Sequence, residues 1–237
     1  MKRTIQFIAN ALGYEVHSLF SSSSVGIQRS RIMDRLAINF VFDIGANTGQ
    51  YALDLRRFGY KQRICSYEPQ HRAFSVLQKA AVNDEQWKVV NSACGPKSGK
   101  AVIHVSKNSF SSSLLPILDA HLRNSENSRY VSREEISVCS LDEDVNPGLT
   151  DSDKVWLKID TQGYEAAVLE GAAEVLRHAS AVECELSMVP LYRGQPLIGD
   201  MIGLLYRSGF RPVHLTPGFS ERDTGYTLQM DGIFLRM

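Results

Sequence analysis

Apolar residues along this chain fall into short runs separated by stretches of helical period. Residues 38–44 are a nearly continuous apolar run with one acid, Asp43, near its carboxyl end, as in a central parallel strand covered on both faces. The run 63–68 ends in the acid Glu68, and further strands are expected over 88–92, 155–160, 181–186, 210–215 and 226–235. Between them, apolar residues at helical spacing predict helices from Thr48, with Tyr51, Leu55 and Phe58 on its inner face, then over 70–82, 164–177 and 196–208. Such strand–helix alternation is the pattern of an α/β doubly wound parallel sheet.

Two regions stand apart from this rhythm. Residues 2–20 carry Ile5, Ile8, Leu12 and Val16 on one side of a helix, a serine run follows at 21–24, and a helical pattern resumes over 27–36. Residues 1–36 are therefore expected to be an N-terminal helical cap, or part of a homodimer contact, ahead of a domain spanning 37–237. Short alternating runs at 101–106 and 136–141 predict an inserted hairpin or edge strands. Between them, a segment rich in serine, asparagine and arginine, with a short helical candidate over 116–122, has the length of an active-site lid or of a surface loop.

The turn Asp43-Ile44-Gly45-Ala46-Asn47-Thr48-Gly49 joins the first strand to the first helix of this alternation. Gly45 and Gly49 permit positive φ and close backbone approach, Thr48 is placed to cap the helix, and a ligand can sit on that helix N-terminus. Asp43 is costly to bury without a partner. Glu68 ends the second strand about where α/β nucleotide sites set a carboxylate against ribose hydroxyls. A dinucleotide fingerprint would place glycines at 45, 47 and 50, where this chain has Gly45, Asn47 and Gln50. A dinucleotide-dependent oxidoreductase is thus disfavoured, and the paired acids look like a site for S-adenosyl-L-methionine (SAM).

A second motif, Leu157-Lys158-Ile159-Asp160-Thr161-Gln162-Gly163-Tyr164-Glu165, repeats the strand, acid and glycine logic. With the first turn, with Tyr67-Glu68-Pro69, Ser111-Ser112-Ser113-Leu114 and Leu141-Asp142, and with a tail from Pro190 to Phe234, the chain beyond about residue 35 resembles the FkbM family of SAM-dependent methyltransferases. One departure is Gln162, a position commonly acidic in that family. The resemblance implies a Rossmann-like class I methyltransferase with a seven-stranded, mostly parallel sheet and helices on both faces. It also implies O-methylation of a hydroxyl on a sugar, glycolipid or secondary metabolite, with residues 106–135 as an acceptor-binding insertion. A non-catalytic SAM-binding or scaffold protein is the alternative from another class.

Within that reading Asp43, Gly45, Asn47 and Gly49 serve the amino-acid end of SAM, Glu68 the ribose, and Ser92 and Ala93 the adenine. Asp160 is the first candidate for a general base, with Glu165 and Glu185 second. Isolated His104, His121 and His214 are unranked. No metal is assigned; a divalent ion on Asp160 and Glu185 is the minor alternative, since Gln162 removes one anionic ligand.

Composition narrows the partners. The chain has 237 residues, 26 basic and 26 acidic, so no global field favours nucleic acid or an anionic membrane. A neutral small-molecule or glycan acceptor is expected, with Arg123, Arg129 and Arg133 available to a phosphate. Cys65, Cys94, Cys139 and Cys184 are widely spaced in apolar runs, which points to buried thiols and a reducing compartment. With no apolar run of about 18 residues and no secretory pattern, a cytoplasmic protein without a transmembrane segment is expected.

Overall fold

The computed structural model describes Leu12, residues 24–145 and residues 148–237. The helix expected over 2–20 lies outside these residues apart from Leu12, as does the serine run apart from Ser24. Helix α1 (Val25–Arg35) leads into β1 (Phe40–Ile44), α2 (Gln50–Arg57), β2 (Arg63–Tyr67), α3 (His71–Ala81) and β3 (Trp87–Val90). After an insertion come β7 (Val155–Ile159), α6 (Glu165–Glu170), α7 (Ala173–His178), β8 (Ala179–Ser187), α8 (Ile198–Arg207), β9 (Phe210–Pro217) and β10 (Gln229–Arg236). The seven strands order as β3-β2-β1-β7-β8-β10-β9, and β10 alone runs opposite to the other six. This is the Rossmann-like methyltransferase sheet.

Period-two alternation divides the core. Phe40, Phe42 and Ile44 of β1, with Leu157 and Ile159 of β7, pack on the side covered by α6, α7 and α8. Val41, Ile64, Trp156 and Ala181 point the other way, against Met33 of α1, Ala52 and Leu55 of α2 and Leu77 of α3. Each such fully buried large side chain contributes roughly 1.5–3 kcal/mol. The β1–β7 boundary, where the strand order reverses, therefore lies between two filled layers, and a crevice opens at its carboxyl end.

The helix expected over 164–177 is two helices, with Gly171 at the break. A Cβ on Gly171 would overlap the carbonyl oxygen of Gly95, so the backbones meet there and the helix cannot run through. The insertion begins with β4 (Ala93–Cys94) and β5 (Gly99–Ser106), continues through α4 (Asp119–Asn124) and a 3-10 turn at Glu126–Ser128, and returns along β6 (Tyr130–Cys139) to α5 (Leu141–Val145). These strands form a separate sheet ordered β4-β6-β5. Residues 130–135, expected to be part of a polar loop, extend the β5–β6 ladder as far as Tyr130 opposite Ser106. Cross-strand pairing keeps that polar stretch extended. Among the described residues no helix is long and apolar enough to cross a membrane.

Candidate functional site

The crevice is a cleft with about 640 Å³ of empty space between the carboxyl ends of β1, β2 and β7 and the start of β4. Its floor is the turn after β1. Gly45 has φ 75°, and a Cβ there would strike the carbonyl oxygen of Asp160, so glycine is what lets the two motif turns touch. Gly49 has φ 92° and is the N-cap of α2. Thr48 makes no capping bond: the chain enters α2 through a left-handed residue, which removes the extended N-cap geometry that a side-chain cap needs. Asn47 is also left-handed, at φ 49°, and its backbone N–H donates to Glu68 Oε2 at 2.8 Å.

Glu68 is 3% exposed and lines the cleft. Its Oε1 accepts the Gln70 N–H at 2.8 Å. Burial pushes this carboxyl up to about 7, although the two backbone donors favour its charged form. Asn47, another lining residue, has its Oδ1 buried with no hydrogen-bond partner. An acceptor-rich pocket with one orphaned oxygen fits a ligand carrying hydroxyl and ammonium donors, which is what the ribose and amino end of SAM present. Ser92 and Ala93 form the next part of the wall, with the Ser92 hydroxyl donating to the Ala93 carbonyl at 2.9 Å.

Asp43 does not line the cleft. It is fully buried one layer below, where Oδ2 accepts from Ser66 Oγ at 2.9 Å and Oδ1 faces Lys158 Nζ at 3.1 Å, an ion pair rather than a well-directed hydrogen bond. Lys158 also donates to the Gly45 carbonyl at 3.1 Å, so this pair grips the turn from beneath. Burial alone would lower the lysine, but the carboxylates of Asp43, Asp160 and Glu183 outweigh it and raise its pKa.

The opposite wall is the turn after β7. The Asp160 carboxylate is 44% exposed, with Oδ1 accepting from Gln162 Nε2 at 2.9 Å and Oδ2 lying 3.9 Å from Lys158 Nζ. Gln162 is the hub here. Tyr192 Oη donates to its Oε1 at 2.7 Å, which turns its amide so that Nε2 serves both Asp160 and Glu185 Oε2, the latter at 3.1 Å. The Gln162 backbone is left-handed at φ 56°, held by Ser113 Oγ donating to its carbonyl at 2.7 Å. Where an acid would set three carboxylates together, the neutral amide bridges two.

The two second-rank acids lie outside the lining. Glu165 is 4% exposed, and one oxygen accepts from Thr161 N–H, the Thr161 hydroxyl and Gly163 N–H, so it holds the turn together. Glu185 sits farther along β8 and is bonded to Gln162 and Gln229; burial, then the nearby Asp160 carboxylate, push it well above the usual carboxylate range. Among the described residues no group of three or more histidine, cysteine, aspartate or glutamate side chains could hold a metal ion.

Several cleft residues were given no role by the sequence. Gln70, Ser109, Ser112 and Ser113 belong to a roof over the cleft: Ser112 Oγ donates to Gln70 Oε1 at 3.2 Å, and Asn47 Nδ2 to Ser109 Oγ at 3.4 Å. The serine cluster at 111–113 was visible as a motif without a role. His121 is buried against Tyr192 and Phe219, His104 stacks on Tyr130 and His214 bonds to Thr216; none of the three lines this cleft.

A family model described as "Methyltransferase FkbM domain" matches residues 43–212. No curated protein sequence matches the chain. Among solved structures, an S-adenosylmethionine-dependent methyltransferase from Mesorhizobium loti aligns at 10% identity over 90% of this chain and 99% of its own, with a TM-score of 0.49. An rRNA methylase from Streptococcus thermophilus aligns at 9% identity over 92% and 99%, TM-score 0.48. A precorrin-6y C5,15-methyltransferase from Geobacter metallireducens aligns at 9% identity over 93% of each chain, TM-score 0.47.

Proposed function

Because the chain belongs to the FkbM methyltransferase family, and so is a SAM-dependent methyltransferase, we propose that it is an O-methyltransferase acting on a hydroxyl of a sugar, glycolipid or secondary metabolite. The observation that carries this is the Asp160 carboxylate, nearly half exposed at the cleft wall and fixed at one oxygen by Gln162. When bound, SAM supplies a methyl group on a sulfonium that a nucleophile can displace in line.

Everything else falls to the protein. Glu68 accepts from the ribose hydroxyls, Asn47 Oδ1 and the backbone of the 45–49 turn receive the amino-acid end, and Ser92 and Ala93 border the adenine. Gly49 shapes the turn, and Asp43 acts through Lys158 rather than by contact. Asp160 takes the proton of the acceptor hydroxyl, with its free oxygen as the base and Gln162 as its orienting partner. A base so placed contributes roughly 10²–10⁴-fold. Residues 106–135 form the acceptor side, with Arg123, Arg129 and Arg133 available to a phosphate on an activated sugar, while α1, the described part of the expected cap, covers the core layer beneath it.

The hydrogen-bonded roof gives a second reading its one argument. A permanently covered pocket suits a non-catalytic SAM-binding protein, whereas a half-exposed acid at the wall suits transfer. Incubation with methyl-labelled SAM and panels of glycans, glycolipids and polyols separates them. Label in a hydroxyl-bearing product supports the O-methyltransferase, and tight SAM binding without label transfer to any panel member supports the binder.

A further inference from the structure

We infer that Arg29, on a helix that contributes no residue to the lining of the cleft, is a positioning residue for the cofactor, acting through a row of alternating buried charges that crosses the sheet. The row is set by strand register. Ser66, Asp43, Lys158 and Glu183 stand side by side on β2, β1, β7 and β8. Their neighbours two residues earlier, Ile64, Val41, Trp156 and Ala181, all belong to the core layer beneath α1, α2 and α3, so all four side chains enter that layer. Arg29 of α1 closes the row. Its guanidinium grips Glu183 through Nε to Oε2 at 2.9 Å and Nη2 to Oε1 at 2.5 Å, and all four charged members are under 10% exposed.

Two acids and two bases in alternation leave each ion with one cation or anion of its own. Glu183 is satisfied by Arg29, by Tyr51 Oη at 2.6 Å and by Trp156 Nε1 at 3.2 Å. Lys158 is then released to Asp43 and to the carbonyls of Ile44 and Gly45, at 3.4 and 3.1 Å, which are the start of the cofactor turn. Without the arginine charge, Glu183 would be a buried carboxylate whose next cation in the row is Lys158. A buried charge that loses its partner draws on the nearest one left. The lysine that moves toward Glu183 leaves Asp43 Oδ1, which has no hydrogen bond of its own, and lets go of the Gly45 carbonyl. Arg29 also lies 3.6 Å from Asp54, a more exposed acid outside the row. The helix lies outside the 43–212 match, so nothing in the family assignment gives Arg29 this role.

The test is the affinity of the full chain for S-adenosylhomocysteine, measured by calorimetry well below the melting temperature, beside the Tm of each ligand-free variant. Arg29→Met is expected to weaken binding about tenfold, the size of coupling seen between residues of one charge network. Arg29→Gln, which keeps a donor to Glu183 and removes only the charge, carries the same expectation should Arg29→Met not fold. Arg29→Lys, and the double change Arg29→Met with Glu183→Gln, restore the charge balance and are expected to bind within about threefold of the unaltered protein. A purely structural arginine would lower Tm and leave affinity unchanged in the neutral variants, or leave the double variant as weak as the single one; either result overturns the inference. Failure of the unaltered protein to bind S-adenosylhomocysteine would overturn the cofactor assignment together with it.

Discussion

On the proposed assignment of Glu68 to the ribose, cofactor binding is coupled to protons. Its carboxyl stands at about 7 in the folded protein against an ordinary 4.5, because burial outweighs two backbone donors. The proton therefore favours the folded, ligand-free state. This stabilisation is full below about pH 4.5 and is lost as pH rises through about 7. In the proposed site the ribose hydroxyls donate to the charged form, so binding should expel the proton. Calorimetric titration with S-adenosylhomocysteine near pH 7, in buffers of different ionisation enthalpy, is expected to show proton release and an affinity that grows from pH 6 to 8. Glu68→Gln should abolish both and weaken binding by about 1–3 kcal/mol. A buffer-independent enthalpy would remove Glu68 from the ribose. Asp160→Asn separates the two walls: turnover is expected to fall roughly 10²–10⁴-fold while the dissociation constant for S-adenosylhomocysteine holds. Loss of affinity with turnover intact would make Asp160 a cofactor ligand instead.

At the scale of elements, close backbone approach decides where helices begin and end. Gly171 separates α6 from α7 because the Gly95 carbonyl occupies the space of its Cβ. Gly171→Ala must push β4 away from α6 at the base of the insertion. It is expected to cost on the order of 2–3 kcal/mol, or roughly 4–12 °C in Tm for a chain of this size. An unchanged melting curve would mean the contact yields freely. The insertion has two characters. Its roof, from Ser106 to Ser113, is tied by hydroxyl and amide bonds such as Asn108 Nδ2 to Ser111 Oγ and Ser111 Oγ to Ser128 Oγ. Its return strand is tied by the β5–β6 ladder. In hydrogen exchange of the ligand-free protein, β6 amides paired to β5 should be protected well beyond those of the 107–112 roof. Adding the acceptor to the S-adenosylhomocysteine complex should protect the roof. Equal, fast exchange in both segments would remove the ladder from the description.

At the scale of the whole molecule, charge is balanced and partly internal. With 26 basic and 26 acidic residues there is no net positive charge to favour a continuous basic face, and Arg29 and Lys158 are paired with buried acids. Binding to a phosphate backbone requires such a face and weakens steeply with salt. Titration with tRNA at about 50 mM salt, with polarisation as the readout, is therefore expected to show no binding in the micromolar range. Salt-sensitive micromolar binding, or label transferred to the RNA, would move the acceptor class from neutral hydroxyl compounds to nucleic acid.

The sequence by itself determined the sheet and its rim. Short, nearly continuous apolar runs such as 38–44 and 155–160, alternating with stretches of helical period, read as covered strands, and glycine at 45 and 49 with acids at 68 and 160 marks strand ends where a ligand can sit, because these are local consequences of burial and backbone freedom. Tertiary structure decided which acids face the cleft. Asp43 and Glu68 look alike in sequence, each an acid at the end of an apolar run, yet Asp43 meets Lys158 beneath the turn while Glu68 meets two backbone N–H groups at the pocket. Gln162 reads as a lost acid until Tyr192, thirty residues on, orients its amide between Asp160 and Glu185. Arg29 gains its buried partner Glu183, 154 residues on, only when α1 packs against the sheet. Apolar burial depends on period and can be read along the chain, but a polar group's role depends on which partner reaches it across the sheet, and that pairing is made only when distant segments pack.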